Sequence, residues 1–141
     1  GRRAAQGARQ PVIVVDASVV IELLLQTADA PRIASAILTG RETLHAPHLM
    51  DVEVAQVVRR YALRGEISGE HGREALAILP LLPISRYPHL PLLSRMWQLR
   101  DNLTAYDAAY VALAEGLHAP LMTRDGRMAG AAGHTADVRV I

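Results

Sequence analysis

A doubly wound α/β domain built on a parallel sheet is the fold class this sequence predicts, and three observations carry the prediction. Val12-Ile13-Val14-Val15 is an unbroken β-branched run with no polar alternation, the pattern of a central strand covered on both faces. It stops abruptly at Asp16. Pro120-Leu121-Met122-Thr123-Arg124-Asp125-Gly126 repeats the arrangement, a second buried strand that ends in an acid and a turn glycine. Strand-like runs alternate with helix-length stretches along the chain, which is the element order of this class. Open α/β sheets bind ligands outside the carboxyl ends of their strands, so Asp16 stands where such folds place their chemistry.

The elements follow in order. After the first strand, residues 19–26 continue as a short helix, and Pro31 in a first-turn position opens another through about Leu38, stopped by Gly40. Thr43-Leu44-His45-Ala46 reads as a short second strand closed by Pro47. From Leu49 to Arg64 there is no Pro or Gly, and Val54, Val58, Tyr61 and Ala62 mark the buried face of a helix that ends at Gly65. Glu53, Val57, Arg60 and Arg64 share a different side of it. Ser68 caps a further helix that ends by Pro80. Leu82-Pro83-Ile84-Ser85 predicts a third strand, placed at an edge because Pro cannot donate to a ladder. Residues 89–100 read as helical, with Leu93, Met96 and Trp97 facing inward. Thr104-Ala105-Tyr106-Asp107 has the form of a capping box and opens an Ala-rich helix over 105–117, whose small side chains permit close packing. Residues 128–132 predict a helical turn, and Val138-Arg139-Val140-Ile141 a fifth strand.

The 141 residues predict one domain over 11–141, with residues 1–10 set aside as a flexible basic arm or an appended segment. Half of the residues are apolar, which excludes a disordered chain. The absence of Cys removes disulfides, thiolate nucleophiles and thiolate zinc sites together, and is consistent with a cytoplasmic protein. No uncharged apolar run reaches the roughly 18 residues of a membrane span, so no membrane association is expected. A net charge of +1 makes whole-molecule attraction to nucleic acid weak, and contacts must come from local clusters. Every basic residue is Arg. Phe is absent and Trp97 is the single Trp, which argues against an aromatic platform for single-stranded bases. Six His residues form no HExxH-type arrangement and read as surface or packing residues.

Four acids lie beside apolar residues: Asp16 and Asp125 at strand ends, Glu53 and Asp107 on helices. Each has a purely structural alternative, namely a helix cap for Asp16, an ion pair with a following Arg for Glu53, the third capping-box position for Asp107, and an Asx-type turn for Asp125. Their conjunction is more informative than any one member. An aspartyl-phosphate phosphatase or receiver domain also starts from an acid at the first strand tip. Here Ser18 stands two residues after Asp16, where a second Asp is needed, and no Lys exists to stabilise a phosphoryl group.

Val15-Asp16-Ala17-Ser18, then Ala46-Pro47 with Glu53 six residues on, then Thr104-Ala105-Tyr106-Asp107-Ala108-Ala109-Tyr110, then Leu121-Met122-Thr123-Arg124-Asp125, form an ordered set. It resembles the motifs of PIN-domain ribonucleases, and most closely VapC-type toxins of bacterial toxin–antitoxin systems. The resemblance covers roughly residues 11–141. It implies a PIN-like three-layer α/β/α fold around a five-stranded parallel sheet of order 3-2-1-4-5, with Asp16 and Asp125 on neighbouring strands at the topological switch point.

The resemblance further implies that Asp16, Glu53, Asp107 and Asp125 form a catalytic pocket for Mg²⁺ or Mn²⁺, hard cations that prefer carboxylate oxygens. Such an ion lowers the pKa of a water, aims it at phosphorus and neutralises charge developing on the phosphate. Thr123, and more weakly Ser18, are candidates to orient a carboxylate or a water; ordinary strand-end and capping roles stay open for both. Arg60 and Arg64, on the Glu53 side of their helix, and Arg124 and Arg127, beside Asp125, are candidate RNA phosphate contacts, with surface charge or ion pairing as the alternative. The expected activity is metal-dependent endoribonuclease cleavage. The expected partners are an RNA substrate, a cognate VapB-type antitoxin covering the acidic groove, and a second copy in a homodimer, open to a larger toxin–antitoxin assembly. A catalytically idle PIN-like module that binds RNA or protein is the alternative.

Overall fold

The computed structural model describes residues 10–141. The expected N-terminal arm therefore lies, except for residue 10, outside the described residues. Five strands form one sheet: β1 (Val12–Val15), β2 (Thr43–Pro47), β3 (Ile84–Tyr87), β4 (Leu121–Thr123) and β5 (Val138–Val140). All pairings are parallel and the order is β3-β2-β1-β4-β5, as the family resemblance implied. Parallel pairing requires crossovers, and the helices that make them cover the sheet. These are α1 (Ala17–Leu25), α2 (Ala30–Ile37), α3 (Leu49–Leu63), α4 (Gly69–Ile78), α5 (Leu93–Gln98), α6 (Ala105–Leu117) and α7 (Gly126–Gly130).

The β-branched run is the centre of the molecule. Ile13, Val14 and Val15 are buried, with β2 on one side and β4 on the other. The chain turns outward from β1 to β2 and β3, then returns to the opposite side of β1 for β4 and β5. The carboxyl ends of β1 and β4 consequently flank the switch point, where helices leave in opposite directions and a crevice opens. The alanines of α6 have the anticipated use. Every residue from Ala108 to Ala114 is buried, and the helix packs against β1, β2 and β4. Gly65, at φ +75°, terminates α3 after its Arg64 cap.

Two expectations need correction. The third strand begins at Ile84, with Leu82 and Pro83 before it; Leu44 pairs with Ile84 and Pro47 with Tyr87. Pro83 has no N–H for the ladder, so pairing starts after it. Its position at the sheet edge stands. The stretch 89–100 is broken as well. Leu90–Leu92, holding Pro91, forms a 3₁₀ turn before α5; Leu93 is 47% and Trp97 68% exposed, because the stripe that faces the core is Leu92, Met96 and Leu99. Met96 is half-buried, and Leu99 takes the inward position. Arg100 covers the outward Trp97 ring, its guanidinium carbon 4.4 Å from the ring centroid.

Ion pairs tie helices to one another and to the sheet edge. Arg95 of α5 makes a two-pronged contact with Glu115 of α6, at 2.8 and 2.9 Å, and Glu115 also accepts from the Thr135 backbone N–H at 2.8 Å. Arg86 of β3 similarly holds Asp51 of α3 and donates to the Leu79 and Ile84 carbonyls. Among the described residues no helix is long and apolar enough to cross a membrane.

Candidate active site

The crevice at the switch point is an open pocket of about 330 Å³, and Asp16, Glu53, Asp107 and Asp125 all line it. Each acid arrives on a different element. Asp16 follows β1 and is the N-cap of α1, its Oδ1 accepting from the Val19 N–H. Capping and site membership therefore coincide, because a strand tip facing the crevice is also a helix start. Glu53 comes from the first half of α3. Asp107 sits in the first turn of α6, where Thr104 Oγ1 accepts from the Asp107 N–H in the anticipated capping arrangement. Asp125 leaves β4 and caps α7, accepting from the Arg127 N–H at 2.9 Å.

Two hydroxyls join the strand tips. Thr123, fully buried, donates to Asp16 Oδ2 at 2.5 Å and accepts from the Asp125 N–H at 2.9 Å. Ser18 donates to Asp16 Oδ1 at 2.5 Å and accepts from the Arg124 N–H at 3.0 Å. Both side chains thus orient Asp16 and lock β1 against the turn after β4. On the other wall, Tyr110 donates to Glu53 Oε1 at 2.6 Å. This contact spans 57 residues of sequence. Tyr110 lies within the quoted motif, one turn after Asp107, yet nothing local assigns it a partner; the only signal is the i, i+3 spacing that puts both on one face.

The electrostatics are those of crowded, partly dehydrated carboxylates. Burial pushes Asp16 above the ordinary carboxylate range, against the bonds from Ser18, Thr123 and Val19, and Asp107 raises it further. Burial also raises Glu53, with Tyr110 opposing and Asp107 and Asp16 reinforcing. Asp107 rises for the same reason, with the charge of Asp125 next in importance. Asp125 differs. The Arg127 guanidinium, at 3.0 and 3.1 Å, holds it below its ordinary value. Burial first, then the Glu53 charge, keeps the Tyr110 hydroxyl protonated.

The four basic candidates separate. Arg60 is exposed and lines the pocket, whereas Arg64 is the exposed C-cap of α3 and lies outside it. Arg124 also lines the pocket, but its guanidinium is engaged with Asp29 at 2.6 Å, the Ile141 main-chain oxygen at 2.7 Å and Glu22 at 3.6 Å. It fastens the end of the chain to α1 and the start of α2. Arg127 is 90% exposed and paired with Asp125. Glu22 is a further pocket acid that the sequence analysis did not single out.

The four acids offer carboxylate oxygens, a donor set that suits a hard divalent cation. Among the described residues, no three His, Asp or Glu side chains stand already gathered to hold a metal ion. Asp16 and Glu53 face hydroxyls, and Asp125 faces Arg127.

Comparison with known proteins gives a consistent result. The PIN domain family model matches residues 13–133. Ribonuclease VapC1 of Mycobacterium tuberculosis is 46% identical over 133 residues, covering 91% of this chain and 96% of the relative. Among solved structures, PAE2754 from Pyrobaculum aerophilum matches with a TM-score of 0.68 and 25% identity, over 94% of this chain and 88% of its own. A toxin–antitoxin complex from Klebsiella pneumoniae matches the fold with a TM-score of 0.66 at 18% identity, over 91% of this chain and 96% of the neighbour. Motif order, sheet topology, the shared pocket and near full-length similarity converge: the chain belongs to the PIN-domain family and, within it, to the VapC-type ribonucleases.

Proposed function

We propose that this chain is the endoribonuclease toxin of a VapBC-type module, acting in the cytoplasm on RNA phosphodiester bonds with Mg²⁺ or Mn²⁺ held by Asp16, Glu53, Asp107 and Asp125. The observation that carries the proposal is the meeting of four acids from separate elements in one crevice, three of them with raised pKa values. Folding brings like charges together at a cost, and a site that binds a cation has a physical reason to retain them. When bound, a divalent ion supplies an activated water and neutralises charge on the phosphate.

The chain's own groups have distinct tasks. Thr123 and Ser18 hold both Asp16 oxygens in fixed directions, and Tyr110 does the same for one oxygen of Glu53. Arg60 is the available cation for a phosphate at the pocket mouth. Arg127 releases Asp125 only by giving up an exposed pair, which costs little. A cognate VapB-type antitoxin covers this groove, and the toxin works as a homodimer within a toxin–antitoxin assembly.

The test is incubation of antitoxin-free protein with cellular RNA in Mg²⁺, Mn²⁺ or EDTA. Discrete products with either metal and none with EDTA are expected. Absence of products in every condition, across a broad RNA pool, would favour the idle binding module. A second expectation concerns Tyr110→Phe. Loss of the hydroxyl lets Glu53 rise further and frees its rotation, so the metal concentration for half-maximal cleavage should increase about 10-fold, with near-normal rate at saturation. A loss of rate that added metal fails to restore would refute the orienting role.

A further inference from the structure

We infer that the groove between the start of α6 and the outer face of α3 is a nucleobase subsite, in which Tyr106 stacks on a base flanking the scissile phosphate. This inference rests on the proposed RNA-cleaving function. The groove, of about 400 Å³, is lined by Val52, Glu53, Gln56, Val57, Arg60 and Tyr106. Three of these, Glu53, Val57 and Arg60, also line the acidic pocket, so the two cavities adjoin. Tyr106 is 64% exposed and Val52 71% exposed, so both side chains are open to an occupant of the groove.

The covalent structure of RNA identifies the occupant. A phosphate at the acids carries nucleosides on both sides, and a base linked to it must lie on the surface next to the pocket. The groove has the chemistry that surface needs. The Tyr106 ring and the Val52 and Val57 side chains form an apolar wall, Gln56 offers an amide that both donates and accepts, and Arg60 stands at the junction where the backbone passes. Tyr106 directly precedes Asp107, so the α6 start that positions a catalytic acid also positions the ring. The scarcity of aromatic residues argues against a row of stacked bases; one base needs only one ring.

The experiment uses wild type, Tyr106→Ala and Tyr106→Phe on a short RNA containing a mapped cut site, and on the same RNA made abasic at each nucleotide flanking the cut. On intact RNA, Tyr106→Ala should raise KM about 10-fold, within the range for loss of one stacking contact, with kcat changed by less than about 2-fold and Tyr106→Phe near wild type. At one abasic position, wild type and Tyr106→Ala should become equal. An unchanged KM for Tyr106→Ala overturns the inference. So does a defect that persists on every abasic substrate, or one that tracks loss of self-association or of antitoxin binding. A wild type that cleaves no RNA would instead refute the underlying nuclease reading.

Discussion

Asp16→Asn is expected to lower RNA cleavage on the order of 100-fold or more while leaving the fold intact. Asp16 has both oxygens committed to groups fixed in the fold, to Ser18 and Val19 at one and Thr123 at the other. An amide keeps the shape but removes the charge and one acceptor. The new amide can donate to the free lone pair of Thr123 Oγ1, at the cost of the acceptor for the Thr123 proton, which removal of the buried charge offsets. Stability should follow the charge. The Asp16 carboxyl has a higher pKa folded than its unfolded value of 3.8, so the folded protein holds this proton more tightly. The stability it contributes is complete below that value and is lost as pH rises through the folded pKa. At neutral pH the ionised group is therefore a liability without a cation, and the Asn variant should melt no lower than metal-free wild type. Added Mg²⁺ or Mn²⁺ should raise the melting temperature of wild type and not of the variant. Cleavage by the variant at the wild-type rate would sink the assignment of Asp16.

The second large effect lies at the other end of α6. Glu115→Gln should cost on the order of 2 kcal/mol of stability at pH 7, with cleavage nearly unchanged. The Glu115 side chain is 12% exposed, and the Arg95 guanidinium holds its carboxyl at about 2, well below the unfolded 4.5. The sign is opposite to that of Asp16. This stability is present above the unfolded value and is lost as pH falls through the folded one. The difference between wild type and Glu115→Gln in urea unfolding should accordingly shrink as pH falls from 5 through 2, and vanish only below the folded value, where the acid is protonated. A difference independent of pH would show that the contact acts through shape and not charge. Glu115 stands eight residues from Asp107, about 12 Å along the helix, which is why the pocket should not register the change.

Most of the fold was legible locally. The β1 run, its end at Asp16, the Thr104 cap and the stop at Gly65 each depend on residues within a few positions, and β-branched crowding, capping and backbone freedom act at that range. The acids at the strand tips were visible for the same reason. Trp97 was misjudged because two apolar stripes, one of Leu93, Met96 and Trp97 and one of Leu92, Met96 and Leu99, both fit helical spacing, and only packing against the core selects the second. Strand β3 slipped by two residues because ladder pairing with β2, and not the apolar content of Leu82, determines where it begins.

The sequence by itself thus determined which elements form, in what order, and which acids stand at their ends. It did not determine the partner of any side chain that reaches across elements. Tyr110 holding Glu53, Arg124 turned to Asp29 and the Ile141 oxygen, and Tyr106 left outward beside Arg60 were decided only by the tertiary structure. Periodicity sorts residues into inward and outward along one element. Which inward groups meet depends on the register and crossing of different elements, and those emerge from packing the whole core at once.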